Sequence, residues 1–269
     1  MSDKISRDIS SALRTIWRQR RLLINTTRAD IQNQFAGTAL GLLWVVLGPM
    51  TLLALYTIIY AFIFRVRVPD YTVQEYILNV FSGLVPFLAF SQALAMSATV
   101  MRRDQKLLFS SYPNIFIPIK AVLTSYVIVG VGTLLIFLGD LAVSEVTWTL
   151  LLVPIVMLLQ MIFSIGIGMI IALFSVVLKD IEVMIQYITI ALLVITPIAY
   201  TPEMIPSGLK PLLYVNPLFY FTYSNQYLIL VNELPPIHIM VIATFLSASA
   251  FFTGLWFFTR ARQALNDLL

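Results

Sequence analysis

The side chains of this sequence best suited to chemistry stand at the edges of its apolar runs. Lys120 and His238 are the ionisable groups within those runs, and such groups are costly in lipid and usually mark ion coupling. Both lie near a run's end. Lys120 is therefore expected to snorkel into the headgroups, and His238 to be an interfacial polar residue, so proton or sodium coupling is poorly supported. Catalysis lacks its parts as well. With no cysteine and one histidine, and with neither H-E-x-x-H nor G-x-S-x-G, no catalytic residue, metal or cofactor is expected in this chain. A G-x-x-x-x-G-K-S/T phosphate loop is also missing, so nucleotide chemistry must come from another polypeptide.

Two charged clusters and a set of aromatics are more informative. Arg102, Arg103, Asp104 and Lys106 surround Leu107, Leu108 and Phe109 ahead of Pro113. This stretch is short enough for one helix that Pro113 stops. Its three large apolar residues suit either a groove on a partner or the membrane surface. Lys179, Asp180 and Glu182 put both signs of charge into a very short segment, which fits local ion pairing or partner contact. Tyr56 and Tyr60 are one helical turn apart, with Phe64 a turn further and Trp44 nearer the other end. They read as an aromatic belt with ordinary packing, or as flat faces with a polar tip suited to sugars.

The elements that carry these residues follow from composition. The chain has 269 residues, of which 59% are hydrophobic and 11% charged, against roughly 25% charged in soluble domains. Mean hydropathy is +0.91. These values exclude disorder, coiled coil and a soluble fold, and indicate an all-α integral membrane protein. Six runs reach the length of roughly 20 residues that a helix needs to cross lipid. They are 40–64, 76–100, 115–138, 148–178, 183–200 and 237–259. The fourth is over-long, and Gly166 and Gly168 are expected to mark a bend or an exit from lipid. Gly37 and Gly41 have the spacing of a close helix contact, which is weak evidence for a dimer face.

Basic residues accumulate in short cytoplasmic segments. With the N-terminus inside, 14 of the 17 fall on the inner side and only Arg65, Arg67 and Lys210 on the outer. Six spans then leave both termini in the cytoplasm. A net charge of +4 distributed this way does not describe a nucleic-acid partner, which needs a clustered basic face.

Residues 1–39 form a cytoplasmic amphipathic region. Ile5, Ile9, Leu13 and Ile16 recur at helical spacing, opposite Arg7, Arg14, Arg18 and Arg21. In a second stretch Ile24, Thr27, Ile31 and Phe35 share a face, with Asp30, Asn33 and Gln34 away from it. Both stretches read as helices lying on the membrane surface. Between the last two runs, 201–236 holds six of the 13 prolines and cannot be one helix. It is expected to form short helices that dip back into the outer leaflet.

The ordered set of these motifs resembles the ABC type-2 permease subunits that export lipid-linked polysaccharides, including O-antigen and teichoic acid. The residues that carry the resemblance are Asp30-Ile-Gln-Asn-Gln-Phe-Ala-Gly-Thr-Ala-Leu-Gly-Leu-Leu-Trp44 with Pro49, Lys106-Leu-Leu-Phe109 with Pro113, and Lys179-Asp180-Ile. Thr196-Pro-Ile-Ala-Tyr200 and Asn216-Pro217 complete the set.

The resemblance implies a transmembrane domain over 40–269 in a homodimer, bound to two cytoplasmic ABC ATPase subunits that hold ATP and Mg. It implies an interface helix carrying Arg28, Ile31 and Phe35. Coupling to the ATPase falls to Arg102, Arg103, Asp104, Lys106, Phe109, Lys179, Asp180 and Glu182. A translocation channel takes Trp44, Tyr56, Tyr60, Gln186, Tyr187 and Tyr200, and re-entrant outer gate helices take Tyr214, Asn216, Pro217, Phe219 and Tyr220. The implied function is export of undecaprenyl-linked polysaccharide across the bacterial inner membrane. A drug or small-lipid exporter of the same architecture is the second reading, and a membrane enzyme or scaffold the third.

Overall fold

The computed structural model describes residues 2–63, 71–108, 111–143 and 147–268. Among them every regular element is helical. Helices α1 (Ser2–Arg18) and α2 (Arg20–Gln34) precede α3 (Trp44–Tyr56), which continues through a π-helical segment, Thr57–Ile63. Then come α4 (Val73–Arg103), the single turn α5 (Gln105–Leu108), α6 (Phe116–Val143), α7 (Val153–Val177) and α8 (Ile181–Ile195). The chain ends in α9 (Lys210–Val215), α10 (Pro217–Gln226) and α11 (Ile237–Leu268).

Helix α4 is the axis of the molecule. Its start is fixed by a capping box: the Glu75 amide donates to the Thr72 hydroxyl at 3.3 Å, and the Thr72 amide donates back to the Glu75 carboxylate at 2.7 Å. Two of the four orphan donors at a helix start are thereby satisfied. From there α4 runs buried among α6, α7, α8 and α10. Small residues set the packing distances. A Cβ on Gly166 would lie 2.2 Å from the Ala250 carbonyl oxygen, and one on Gly254 would lie 2.2 Å from the Gly166 carbonyl oxygen. Helices α7 and α11 therefore touch backbone to backbone, as small-xxx-small pairs allow in lipid.

The glycine expectations are thus reversed. Helix α7 passes Gly166 and Gly168 without a break; these residues admit a neighbour and do not mark a bend. Gly37 and Gly41 have positive φ values, 79° and 52°, in the turn between α2 and α3. They serve as turn residues and not as a helix-contact stripe.

Five helices are long and apolar enough to cross a membrane, over Gly41–Ile59, Val73–Arg103, Phe116–Leu141, Trp148–Val177 and Ile237–Ala261. The fifth predicted run makes only the 15-residue α8, shorter than the roughly 20 residues a crossing needs. Yet it is tied to both ends of α4. Near its start, Glu182 accepts from Arg102; beyond its end, the Tyr76 hydroxyl donates to the Ala199 carbonyl at 2.9 Å. Thirteen helical rises plus four extended residues cover about 33 Å, against about 39 Å of helix between Tyr76 and Arg102. Long side chains at both ends bridge the difference. Helix α8 with its extended tail therefore runs alongside α4 over nearly its whole length.

That tail holds non-helical backbone, which is tolerated at membrane depth only where protein satisfies it. Gln226 does so, its amide Nε2 lying 3.2 Å from the Pro197 carbonyl, 3.3 Å from that of Ile198 and 3.4 Å from that of Asn79. Gly83 leaves room for it, since a Cβ there would fall 2.7 Å from Gln226 Nε2. The Asn216 amide donates to Thr196 Oγ1 at 2.8 Å, while its oxygen caps α10 by accepting the Leu218 amide at 3.0 Å.

Candidate functional site

Four charged side chains meet where α2, the end of α4 and the start of α6 converge. The Lys120 ammonium donates to Asp104 at 2.7 Å and to Asp30 at 3.1 Å. Arg103 donates to Asp30 at 3.0 Å and to Asp104 at 3.1 Å. Two acids and two bases alternate, so the cluster is neutral, with each carboxylate held by both cations. Lys120 is 3% exposed. It does not snorkel to the headgroups: two carboxylates lie within reach inside the protein, and a buried ammonium that finds such partners has no reason to leave them.

A second tie lies alongside. Arg102 donates to the Ser175 carbonyl at 2.9 Å and to the Glu182 carboxylate, joining α4 to the end of α7 and the start of α8. Glu182 thus pairs across the fold and not within its own short segment; Lys179 and Asp180 are exposed at the turn. Thr26 and Tyr112 share a hydroxyl hydrogen bond of 2.9 Å, which fastens α2 to the loop ahead of α6. Burial raises the Tyr112 phenol above its ordinary value, with Asp30 and Asp104 adding to the shift. Burial also pushes the Asp104 carboxyl up, but hydrogen bonds and charge from Arg103 and Lys120 outweigh it and hold the group below the usual aspartate range.

The interface helix faces the opposite way from its predicted face. Leu23 and Thr27 are buried and Asp30 is turned into the cluster, whereas Ile24 is 60% exposed. Ile31 and Phe35 are half-buried and Arg28 is exposed. On a surface helix the apolar side turns to lipid, and the polar side is left to contact protein. In α5, Leu107 packs on the core and Lys106 is exposed. Helix α5 ends at Leu108, well before Pro113; Phe109 lies outside the described residues.

The residues expected along a channel lie mainly on the two helices that the fold leaves uncovered. Within α3 only Pro49 is buried, and within α8 only Ile185. Trp44 is exposed on α3 and Tyr56 is half-buried against the core; the Tyr60 side chain is outside the described residues. Gln186 and Tyr187 are exposed on α8, Tyr187 by 69%. Tyr200 is half-buried, its hydroxyl donating to the carbonyls of Val194 and Ile195 at 2.9 Å. Of the outer-gate residues, Asn216, Phe219 and Tyr220 are buried and Tyr214 is exposed. The Tyr220 hydroxyl donates to the Tyr214 carbonyl at 2.9 Å, and the Phe219 ring meets Tyr214 edge-on at 5.7 Å. Pro217 opens α10 at its first position, where its missing amide hydrogen is no loss.

The sequence reading overlooked the inward role of Asp30, the backbone-satisfying Gln226 and the acidic Asp140. Helix α6 runs past its predicted end and carries Asp140 fully buried. The available signal was polarity itself, because a polar residue inside an apolar run faces protein rather than lipid.

Residues 21–230 match the ABC-2 type transporter membrane family. The chain is 24% identical over 227 residues to the O-antigen export system permease protein RfbA of Myxococcus xanthus, covering 83% of this chain and 85% of that protein. It is also 24% identical over 200 residues to RfbA of Klebsiella pneumoniae, covering 73% of this chain and 75% of that one. With helices able to cross a membrane, a family match over most of its length and relatives that are transport permeases, the chain belongs to the ABC-2 type transporter family as a multi-pass membrane permease.

Proposed function

We propose that this chain is the membrane subunit of an ATP-driven exporter that moves a lipid-linked, O-antigen-like polysaccharide from the cytoplasmic to the outer face of the bacterial inner membrane. It works as a homodimer with two cytoplasmic ABC ATPase subunits, which bind ATP and Mg. The observation that carries the reading is the linked ion cluster. Asp30, Arg103, Asp104 and Lys120 tie α2, α4 and α6 together beside α5, and Arg102 extends the tie to α7 and α8. A displacement of α5 from below would therefore move five helices as a unit. Contiguous ion pairs and rigid helices are the physical means of carrying such coupling.

Two further features support it. The uncovered faces of α3 and α8 are apolar surface that a second copy would bury, which brings Trp44, Tyr56 and Tyr187 toward a shared path. The two ties between α8 and α4 support a sixth crossing, and six crossings with the inner excess of basic residues support cytoplasmic termini. The test is to purify the chain with a cognate ABC ATPase in lipid nanodiscs. Two permeases and two ATPases per particle, with hydrolysis stimulated by undecaprenyl-linked glycan, are expected. Stimulation by small hydrophobic compounds and not by glycan lipid would replace this reading with a drug or small-lipid exporter. Uphill transport by the permease alone from an ion gradient would overturn it.

A further inference from the structure

A cavity of about 150 Å³ opens at the outer end of the fold, between the start of α4, the tail after α8 and the end of α10. A cavity of about this volume admits one six-membered ring. Tyr71, Tyr223 and Tyr227 contribute aromatic surface, and the last two rings stand 5.6 Å apart at 41°. Asn79 and Gln226 line it as well, with Glu203 exposed at its edge.

The polar atoms of this wall are not used up by the fold. Asn79 is 4% exposed, and its Nδ2 meets no acceptor. A buried amide donor left in that state costs stability, and in a native structure it calls for a partner that arrives later. Gln226 commits Nε2 to the tail carbonyls, so only its Oε1 remains for a ligand. Burial, with Glu203 and Glu75 adding to it, raises the Tyr71 phenol above its ordinary value, and it stays a neutral donor. Among the described residues no Lys, Arg or His lines the cavity. Glu203 repels a phosphate or a sugar acid, while its carboxylate accepts strongly from hydroxyls.

We propose that this cavity is a binding subsite for one uncharged pyranose ring of the exported glycan, stacked on Tyr223 and Tyr227 and hydrogen-bonded by Asn79, Gln226 and Glu203. The assignment rests on the polysaccharide reading above, and it places a sugar contact at the exit side. A lipid chain fits poorly because it would leave the Asn79 amide without a partner. A single ring held weakly at the exit would bias the polymer against slipping back without stopping its advance.

Saturation-transfer NMR on the detergent-purified permease tests this without any transport. The probes are methyl α-glucoside and N-acetylglucosamine, with glucuronate and glycerol phosphate as anionic counterparts. Both neutral pyranosides should receive saturation and both anions should not. Tyr227→Ala and Asn79→Leu should each weaken pyranoside binding about tenfold, the scale of one lost stacking face or one lost hydrogen bond in a desolvated site. Glu203→Gln, on an exposed side chain that does not endanger folding, should weaken neutral binding and admit glucuronate. The subsite is overturned if no pyranoside is saturated, if the anions bind equally well, or if Tyr227→Ala and Glu203→Gln leave the signals unchanged. Its failure is separable from that of the export reading. Glycan-stimulated hydrolysis without pyranoside binding removes only the subsite; pyranoside binding without glycan-stimulated hydrolysis leaves the subsite and removes the exporter.

Discussion

Lys120→Met removes one charge from the cytoplasmic cluster while keeping the apolar stem of the side chain. The ammonium is 3% exposed and lies 2.7 and 3.1 Å from carboxylates whose side chains are 14% and 15% exposed. Removing one partner of a buried pair costs about 3–5 kcal/mol. Here Arg103 still touches both acids, but its side chain is 42% exposed, and contacts at that exposure recover at most about 1 kcal/mol. The variant should therefore lose about 2–4 kcal/mol. Adding Asp104→Asn restores the charge balance of Asp30 with Arg103, so the double variant should lose less than the two single losses added, by about 1–3 kcal/mol of coupling. The assay is reversible unfolding of the purified permease in mixed micelles titrated with SDS. Asp104 supplies a pH signature for the same assay. Its folded-state pKa is depressed, so its contribution is complete above the ordinary aspartate value and is lost as pH falls through the lower folded-state value. Without Lys120 a hydrogen bond and a charge that lower this pKa are gone, so acid destabilisation should begin at a higher pH. Unfolding of Lys120→Met at the wild-type SDS fraction, or strict additivity of the two substitutions, would refute the view that these charges bind the three helices together.

Three further perturbations address other parts of the structure. Gly166→Ala puts a methyl 2.2 Å from the Ala250 carbonyl oxygen, a backbone atom that cannot step aside; it should cost at least about 1–3 kcal/mol by the same SDS titration, and a neutral result would mean that α7 and α11 are not in backbone contact. Gln226→Leu leaves the Pro197 and Ile198 carbonyls without their donor and should cost about 1–3 kcal/mol; faster hydrogen exchange in residues 196–200 is the expected signature, and unchanged exchange there would count against the role assigned to this amide. Tyr56→Ala with Tyr60→Ala should reduce glycan export more than membrane abundance, measured by surface glycan against immunoblot, whereas equal losses would make both residues packing elements.

How much of this was legible depends on which physical signal each residue obeys. The long helices follow from uninterrupted apolar length, so α4, α6, α7 and α11 stand close to their predicted runs. Helix α8 does not, because Thr196 and Pro197 end it early and the rest of its depth is extended chain held by Gln226, a partner that sequence spacing does not reveal. The face of α2 was misread for a different reason. Grouping Ile24, Ile31 and Phe35 as the packed side assumes that apolar residues point into protein, the rule for a helix in water. At a membrane surface the same stripe points to lipid, and Asp30 goes inward. The rule that holds across this fold is that polarity within an apolar stretch marks the protein-facing side. It places Asn79, Lys120, Asp140, Gln160 and Gln226 in the interior, where all five are buried. It also explains why Lys120 could be found in the sequence while its partners could not: the need for a counter-charge is local to residue 120, but the acids that meet it come from other elements, α2 and the end of α4.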